Sequence, residues 1–516
     1  FALLLTNFPL GVYQDFIRTW MNGAASAILE TLYQISLGSL ALVLTVTISI
    51  SYGHLTETDQ LFLYPIVAVC SYLAFCGGIE NQSDYIFNAE WVFTAMVITL
   101  LSCVLFHKIL KLGHRFERLH TTGADYLFNI SIQCLIPVIL VSLFFAVTGY
   151  VLRVAWDSSN ITNFGSYLFL KLFDKISGNL FGILLYVVMT HLLWFMGIHG
   201  TNTLEAVSRH LFEQNVEINQ SLVLAGHIPT EIFSKTFLDT FVFIGGCGTA
   251  LSFVLALYIA SKQSHNRKMS FVALPSALFN ISEIAVFGFP IIFNLTMLIP
   301  FILTPVILTL ISASAIKAGL VPAVTQSVEW TIPVLLSGYQ ATGSVSGSLL
   351  QLFNLLVGVF IYMPFVRRSE KQETGKFKQA VRQMEQDMAA GERDGVIPAY
   401  LSHKYPYYYY AKTLSMDLTN AMKRGQLQLF YQPQISSQGE LHGMEALLRW
   451  NHPVTGYIAP PVLIRLAHES GILNELGYSL LDRACLDAQV IQNSVSNNIC
   501  LSINISPKQL QDPGFF

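Results

Sequence analysis

Residues 280–294 read NISEIAVFGFPIIFN, and residues 195–204 read FMGIHGTNTL. The first stretch sets one acid, Glu283, beside a glycine and a proline in an apolar context. The second sets His199 between two glycines. Between Met269 and Ile316, Glu283 is the sole Asp, Glu, Lys or Arg. Broken helices at membrane depth survive only where their backbone is buried in protein or lines a cavity. Transporters place substrate sites at such breaks. An ionisable residue there is costly to hold and marks a functional position. These two stretches therefore read as interruptions in a membrane-embedded helical protein.

The surrounding chain agrees. Only 12% of the 516 residues are charged, 53% are hydrophobic, and the mean hydropathy is +0.51. A soluble domain usually carries about 25% charged residues. Leu61–Ile79, Trp91–Phe106, Tyr126–Leu152, Thr240–Ala260 and Trp330–Val366 contain no Lys, Arg, Asp or Glu. Each is near or above the length of about 20 residues that crosses a hydrocarbon core. Thr31–Ile50 and Ile176–His199 are further spans, and the pattern predicts roughly nine or ten crossings. Residues 1–366 hold 14 Lys+Arg and 18 Asp+Glu, and the remaining 150 residues hold 15 and 14. Charge density roughly doubles at Arg367, so a membrane part gives way to a soluble one.

Basic loops orient the spans. Lys108, Lys111, Arg115 and Arg118 form one cluster, Lys262, Arg267 and Lys268 another, and Arg367, Arg368 and Lys371 a third. All three are expected to be cytoplasmic, with the acidic loop around Glu80, Asp84 and Glu90 outside. The soluble part then lies in the cytoplasm. The seven cysteines are scattered without a CxxC pair and read as apolar core residues of a reducing compartment. No basic stripe points to nucleic acid. The chain opens at Phe1 inside an apolar stretch and stops at Phe516, and both ends are expected to continue in the natural protein.

Read singly, the candidate residues admit plainer roles. His199 could be a satisfied core histidine, Glu283 a buried acid bonded to backbone, and Trp330 a member of an interfacial aromatic belt. His54, His191 and His227 lack a motif and read as structural. Taken in order, however, GIHG with His199, SExxxFGFPI with Glu283, and EWTIPVLLSGYQATG around Trp330 resemble the enzyme IIC component of the bacterial phosphotransferase system, lactose/cellobiose/chitobiose branch. The ending LLQLFNLLVGVFIYMPFVRR is similar to that family's last helix, and the resemblance covers residues 1–368.

The resemblance implies a polytopic α-helical transporter of about ten helices plus re-entrant hairpins, working as a homodimer in the inner membrane by an elevator-like shift. It implies that His199 and Glu283 bind sugar hydroxyls, that Trp330 stacks on a pyranose ring, and that Asn202 assists. It also implies a β-linked disaccharide substrate and, as this chain has no enzyme IIB domain, phosphoryl transfer from separate enzyme IIB and IIA proteins. One departure stands out. The family has proline after the acid, whereas Ile284 follows Glu283 here. That departure leaves a sugar receptor with little transport as the competing reading.

Residues 369–415 are charged, with Phe377, Val381, Met384 and Met388 on one helical face. This stretch reads as a signalling helix or as a connector whose stripe covers a neighbour, ending at Gly391 and Gly395. HKYPYYYY at 403–410 belongs either at the membrane interface or on the next domain. Residues 416–516 alternate helix and strand signals: a helix over Asp417–Arg424, strands over Leu427–Gln434, Leu441–Trp450 and Ile499–Ile505, and a helix over Pro461–Ser470. That alternation predicts the opening of an α/β barrel.

EALLRW at 445–450, with YQPQ, NHP, LAHESG and SINISPKQL around it, resembles the EAL domains that hydrolyse cyclic-di-GMP. The resemblance implies a partial α/β (TIM-like) EAL barrel, with Glu445 and Asn504 as metal ligands. Arg449 would contact a phosphate or guanine, and Gln432 the nucleotide. The plainer reading of Glu445 is an acid paired with Arg449. Hydrolysing a phosphodiester calls for hard oxygen ligands around Mg2+ or Mn2+. The family's remaining metal ligands and catalytic residues would lie beyond Phe516. A degenerate domain that only senses the nucleotide is the third possibility.

Overall fold

The computed structural model describes residues 38–56, 60–78, 84–88, 91–111, 126–155, 164–173, 178–289, 291–494 and 499–511, with single positions between 28 and 35 and at 176. Arg115, Arg118, Glu80, Glu90 and any helix before Ile28 lie outside the described residues. The chain divides into two compact units, Phe1–Arg367 and Arg368–Phe516.

In the first unit, α1 (Leu40–Leu55), α2 (Leu63–Cys76), α3 (Val92–Lys111) and α4 (Tyr126–Ala155) pack around a core that includes Tyr64, Tyr72, Ala95 and Phe106. Gly149 of α4 lies so close to the Phe75 backbone that no Cβ fits between them. After α5 (Phe164–Phe173) comes α6 (Leu180–Phe195), and later α7 (Gln214–Leu224), α8 (Ala250–Ala260), α9 (Ser264–Leu278), α10 (Glu283–Gly288), α11 (Leu295–Lys317), α12 (Leu336–Thr342) and α13 (Val345–Asp394). Two further cores join these elements, one around Phe237 and Phe241 and one around Phe253, Phe301 and Tyr362.

Among the described residues five helical stretches are long and apolar enough to cross a membrane, with three shorter apolar helices beside them. They sit in two environments. In α4 only 22% of the most apolar window is buried, whereas Lys235–Ala260 is 78% buried. A helix apolar on all sides with most of its surface open is matched to lipid. Along α4 the exposed side chains are indeed apolar: Leu135, Ile139, Leu140, Leu143 and Val147.

Two expected spans are not continuous helices. Thr240–Ala260 is interrupted at Gly245, Gly246 and Gly248, whose φ values of 83°, 94° and 68° lie where side chains are disfavoured. Thr249 follows at φ 55°, and a π-turn occupies Leu238–Val242. Trp330–Val366 is likewise broken. Leu335 has φ 77° and Gly343 φ 64°, so short α12 stands apart from α13. Absence of charge marks both stretches as membrane-compatible, but the backbone leaves the helix where left-handed residues, mostly glycines, interrupt it.

In the second unit, α13 ends in a Schellman turn: Gly395 is left-handed and the Val396 N–H reaches the Gly391 carbonyl. Gly391 therefore lies inside the helix rather than ending it. Val381, Met384 and Met388 are buried with Tyr400, Leu414, Leu418, Trp450 and Leu463. The stripe thus covers a neighbour within this unit. Tyr405, Tyr407 and Tyr410 of the aromatic run pack against the same core, and Tyr405 donates to Asp387 Oδ2 at 2.7 Å. Burial, then Asp387, push the Tyr405 pKa upward.

α14 (Tyr408–Lys423) leads to β1 (Gln428–Ile435), β2 (Leu441–His452) and β3 (Gly456–Ile458), then α15 (Pro460–Glu469), α16 (Leu473–Ser494), β4 (Cys500–Ile503) and α17 (Pro507–Leu510). β1 and β3 pair antiparallel with β2, and β4 pairs parallel with it. The sheet is therefore mixed, with an antiparallel first strand. One face of β2, with Ala446, Leu448 and Trp450, is buried under helices. The other carries Glu445, Leu447 and Arg449, as the two-residue period requires.

Candidate functional site

His199 caps the short turn Gly200–Thr203 that follows α6. Its Nδ1 accepts the Asn202 N–H at 3.3 Å and lies 3.2 Å from Thr201 Oγ1. A backbone N–H can only donate, so in the neutral ring the proton sits on Nε2. Nε2 points at Glu283 Oε1, 3.8 Å away. That separation exceeds a hydrogen bond and leaves both groups able to take a hydroxyl between them. The side chains are 28% and 48% exposed. The indole of Trp194 supports the imidazole at a ring separation of 4.4 Å.

Glu283 opens α10. Ile284 stands in its first turn, where proline is tolerated but not required. The helix forms with Ile284 in place, so the departure from the family motif leaves this element intact. Asn202 contributes its backbone N–H to His199. Trp330 is 40% exposed, and its carbonyl accepts from Asn280 Nδ2 at 2.6 Å. The structure thus brings His199, Glu283 and Asn202 together. It ties the Trp330 backbone to the residue three positions before Glu283.

His191, only two turns before His199, is the contrasting case. It is fully buried, its Nδ1 lies 2.6 Å from the Val187 carbonyl, and its Nε2 accepts the Gly248 N–H at 2.9 Å. Both nitrogens are engaged with backbone, the structural role that its lack of a motif suggested. Tyr362 donates to the Gly248 carbonyl. Gln351 Oε1 accepts from Leu335 N and Gly338 N, both at 2.8 Å, and its Nε2 donates to the Thr240 carbonyl at 2.7 Å. Asn354 Nδ2 donates to the Phe241 carbonyl at 2.9 Å. Side-chain amides on α13 therefore satisfy backbone groups that the broken helices release. Sequence reasoning missed this set. Its signals were three glycines within Gly245–Gly248 and two amides inside an uncharged run.

In the second unit, register aligns the nominated residues. Gln432 lies opposite Glu445 across β1 and β2, and Glu445 opposite Ser502 across β2 and β4. Asn504, just past β4, donates from Nδ2 to Glu445 Oε1 at 2.7 Å. Glu445 is thus engaged by Asn504. Arg449 donates to the Leu448 carbonyl at 2.8 Å and lies 5.8 Å from the Phe430 ring and 6.0 Å from the Tyr457 ring. Gln432, Glu445, Arg449 and Asn504 line one open face of the sheet. Glu445 and Asn504 are side by side, and the carboxylate and the amide oxygen are the hard donor types that suit Mg2+ or Mn2+. Among the described residues no group of three or more His, Cys, Asp or Glu side chains clusters as a metal site.

The neighbouring motifs are structural. His452 is buried; its Nε2 lies 3.2 Å from Asp417 Oδ2, and its Nδ1 accepts from Thr455 N at 3.1 Å. Glu469 accepts the N–H groups of Tyr400 and Leu401 at 3.1 and 2.6 Å.

Comparison with known proteins bears on both units. Residues 1–305 match the family described as Phosphotransferase system, EIIC, and residues 415–516 match the EAL domain. The lichenan permease IIC component of Bacillus subtilis (strain 168) is 30% identical over 300 residues, covering 58% of this chain and 65% of that protein. The match thus spans just under two thirds of that relative's length. The putative permease IIC component YwbA of the same organism is 30% identical over 388 residues, covering 72% of this chain and 86% of that protein. A crystal structure of the transporter ChbC, the IIC component from the N,N'-diacetylchitobiose-specific phosphotransferase system, aligns at 23% identity and a TM-score of 0.39, covering 72% of this chain and 89% of that one. The chain belongs to the phosphotransferase-system EIIC family and carries an EAL domain at residues 415–516.

Proposed function

We propose that the first unit is a sugar permease for a β-linked disaccharide of the cellobiose or chitobiose class, with His199 and Glu283 as its hydroxyl-binding pair. The observation that carries this reading is their approach to 3.8 Å from two separately broken segments. His199 Nε2–H donates to a sugar hydroxyl oxygen, and Glu283 accepts the hydroxyl proton. When a phosphorylated enzyme IIB presents its phosphoryl group, the sugar oxygen forms the new O–P bond. The bond to the enzyme IIB side chain breaks, and the hydroxyl proton passes to Glu283 as general base. Trp330 offers its indole to a pyranose face, and Asn202 holds His199 in the required tautomer. The lichenan permease among its relatives supports a β-linked substrate class.

The protein works as a homodimer in the bacterial inner membrane, with re-entrant hairpins at the broken segments and the EAL domain in the cytoplasm. That domain hydrolyses cyclic-di-GMP. Bound Mg2+ or Mn2+ supplies an activated water and neutralises phosphate charge. Glu445 and Asn504 would hold the ion, Arg449 would bind a phosphate or guanine, and Gln432 would orient the nucleotide. Sugar occupancy and cyclic-di-GMP turnover are coupled.

Ile284, which stands where the family has proline, is the one departure behind a second reading, a sugar receptor with little transport. Membrane vesicles containing the full chain separate the two. Labelled cellobiose and N,N'-diacetylchitobiose accumulate as phosphorylated sugar when a matching enzyme IIB is supplied if the chain is a permease. Sugar binding without accumulation selects the receptor, and neither binding nor accumulation refutes both.

A further inference from the structure

Asn280 joins three broken segments through one side chain. Its Oδ1 accepts the Gly245 N–H at 2.7 Å, and its Nδ2 donates to the carbonyls of Trp330 at 2.6 Å and Ile332 at 3.2 Å. The residue is 9% exposed and holds φ at 61°, a left-handed backbone that asparagine tolerates better than most residues. The fit is close: a Cβ on Gly246 would stand 2.7 Å from the Asn280 carbonyl oxygen. An amide alone supplies an acceptor and two donors from one planar group. A carboxylate lacks the donors, and a hydroxyl cannot span three partners.

The placement of those partners gives the contact its meaning. Asn280 lies three residues before Glu283, and one of its acceptors is the carbonyl of Trp330 itself. We infer that Asn280 is a positioning residue that fixes the Glu283 segment against the Trp330 segment, so that the carboxylate and the indole engage one sugar together. The inference rests on the reading of Glu283 and Trp330 as sugar-binding residues. Asn280 touches backbone rather than sugar, so it acts through those two side chains.

A binding cycle tests this on the full chain in lipid nanodiscs, with labelled cellobiose and N,N'-diacetylchitobiose as probes. Asn280→Asp keeps the acceptor for Gly245 and loses the donors to Trp330 and Ile332. It should weaken binding at least about tenfold in the native background and less than about threefold in a Trp330→Phe background, because coupled residues are not additive. A merely structural role lowers affinity by the same factor in both backgrounds, and that result overturns the inference. Native affinity in the Asn280→Asp protein also overturns it. If that protein fails to give a monodisperse sample, Asn280→Gly, which accepts the left-handed backbone without the amide, carries the same cycle and the same outcomes. Glu283→Gln is measured in parallel. If it weakens binding while the Asn280 cycle is additive, only the positioning role fails. If it binds as the native protein does, the site reading itself fails and the positioning role with it.

Discussion

The two units build open polar sites by opposite means. In the membrane unit, the candidate site lies where helices are broken, and the breaks release backbone N–H and C=O groups that need partners. His191, Asn280, Gln351 and Asn354 take up those groups. In the EAL unit, the central strand β2 is engaged by β1 on one side and by β4 on the other. Its site follows from strand alternation, with one face on the helices and the other free for chemistry. These four polar side chains of the first unit are therefore structural. On the open face of the second, polar side chains are free to be functional.

This contrast can be broken by measurement. Trp450→Ala removes a side chain that is 2% exposed at the centre of the second unit's core, and it should cost about 3–5 kcal/mol. Hydrogen exchange across residues 368–511 of the full chain would read that loss as uniform deprotection of this unit. Gln351→Leu, close in size but without the amide, strands two N–H groups and one carbonyl. A loss of about 3 kcal/mol is expected from the unpaired groups, read as a lower thermal midpoint in detergent. Glu445→Ala should reduce Mn2+ affinity at least about tenfold, following the usual sensitivity of metal sites to lost support, as measured by titration of the free ion. Gln432→Leu makes the same chemical change as the Gln351 variant, but on the open sheet face. Its stability should stay within about 0.5 kcal/mol of native. Equal losses at Gln351 and Gln432 would refute the comparison.

The same contrast explains what was legible in the sequence. Alternation of apolar and polar residues placed β1, β2 and β4 to within two residues at most boundaries, because a period of two is written in the side chains themselves. Glu283 and His199 were visible as ionisable groups in apolar surroundings. The break at Gly245–Thr249 was not, because the stretch stays uncharged through the interruption. The amides Gln351 and Asn354 were hidden for the same reason: neutral polar residues hardly alter a hydropathy run, and their partners lie about a hundred residues away for Thr240 and Phe241. The helix Leu473–Ser494 and the antiparallel placement of β1 also escaped, since pairing direction depends on the partner strand and not on local pattern.

The most direct test of the central claim is the rate at which vesicles containing the Glu283→Gln protein accumulate phosphorylated cellobiose or N,N'-diacetylchitobiose with enzyme IIB present. Loss of the general base and of the partner to His199 predicts a fall of about a hundredfold or more against the native protein. Accumulation at the native rate would contradict the account.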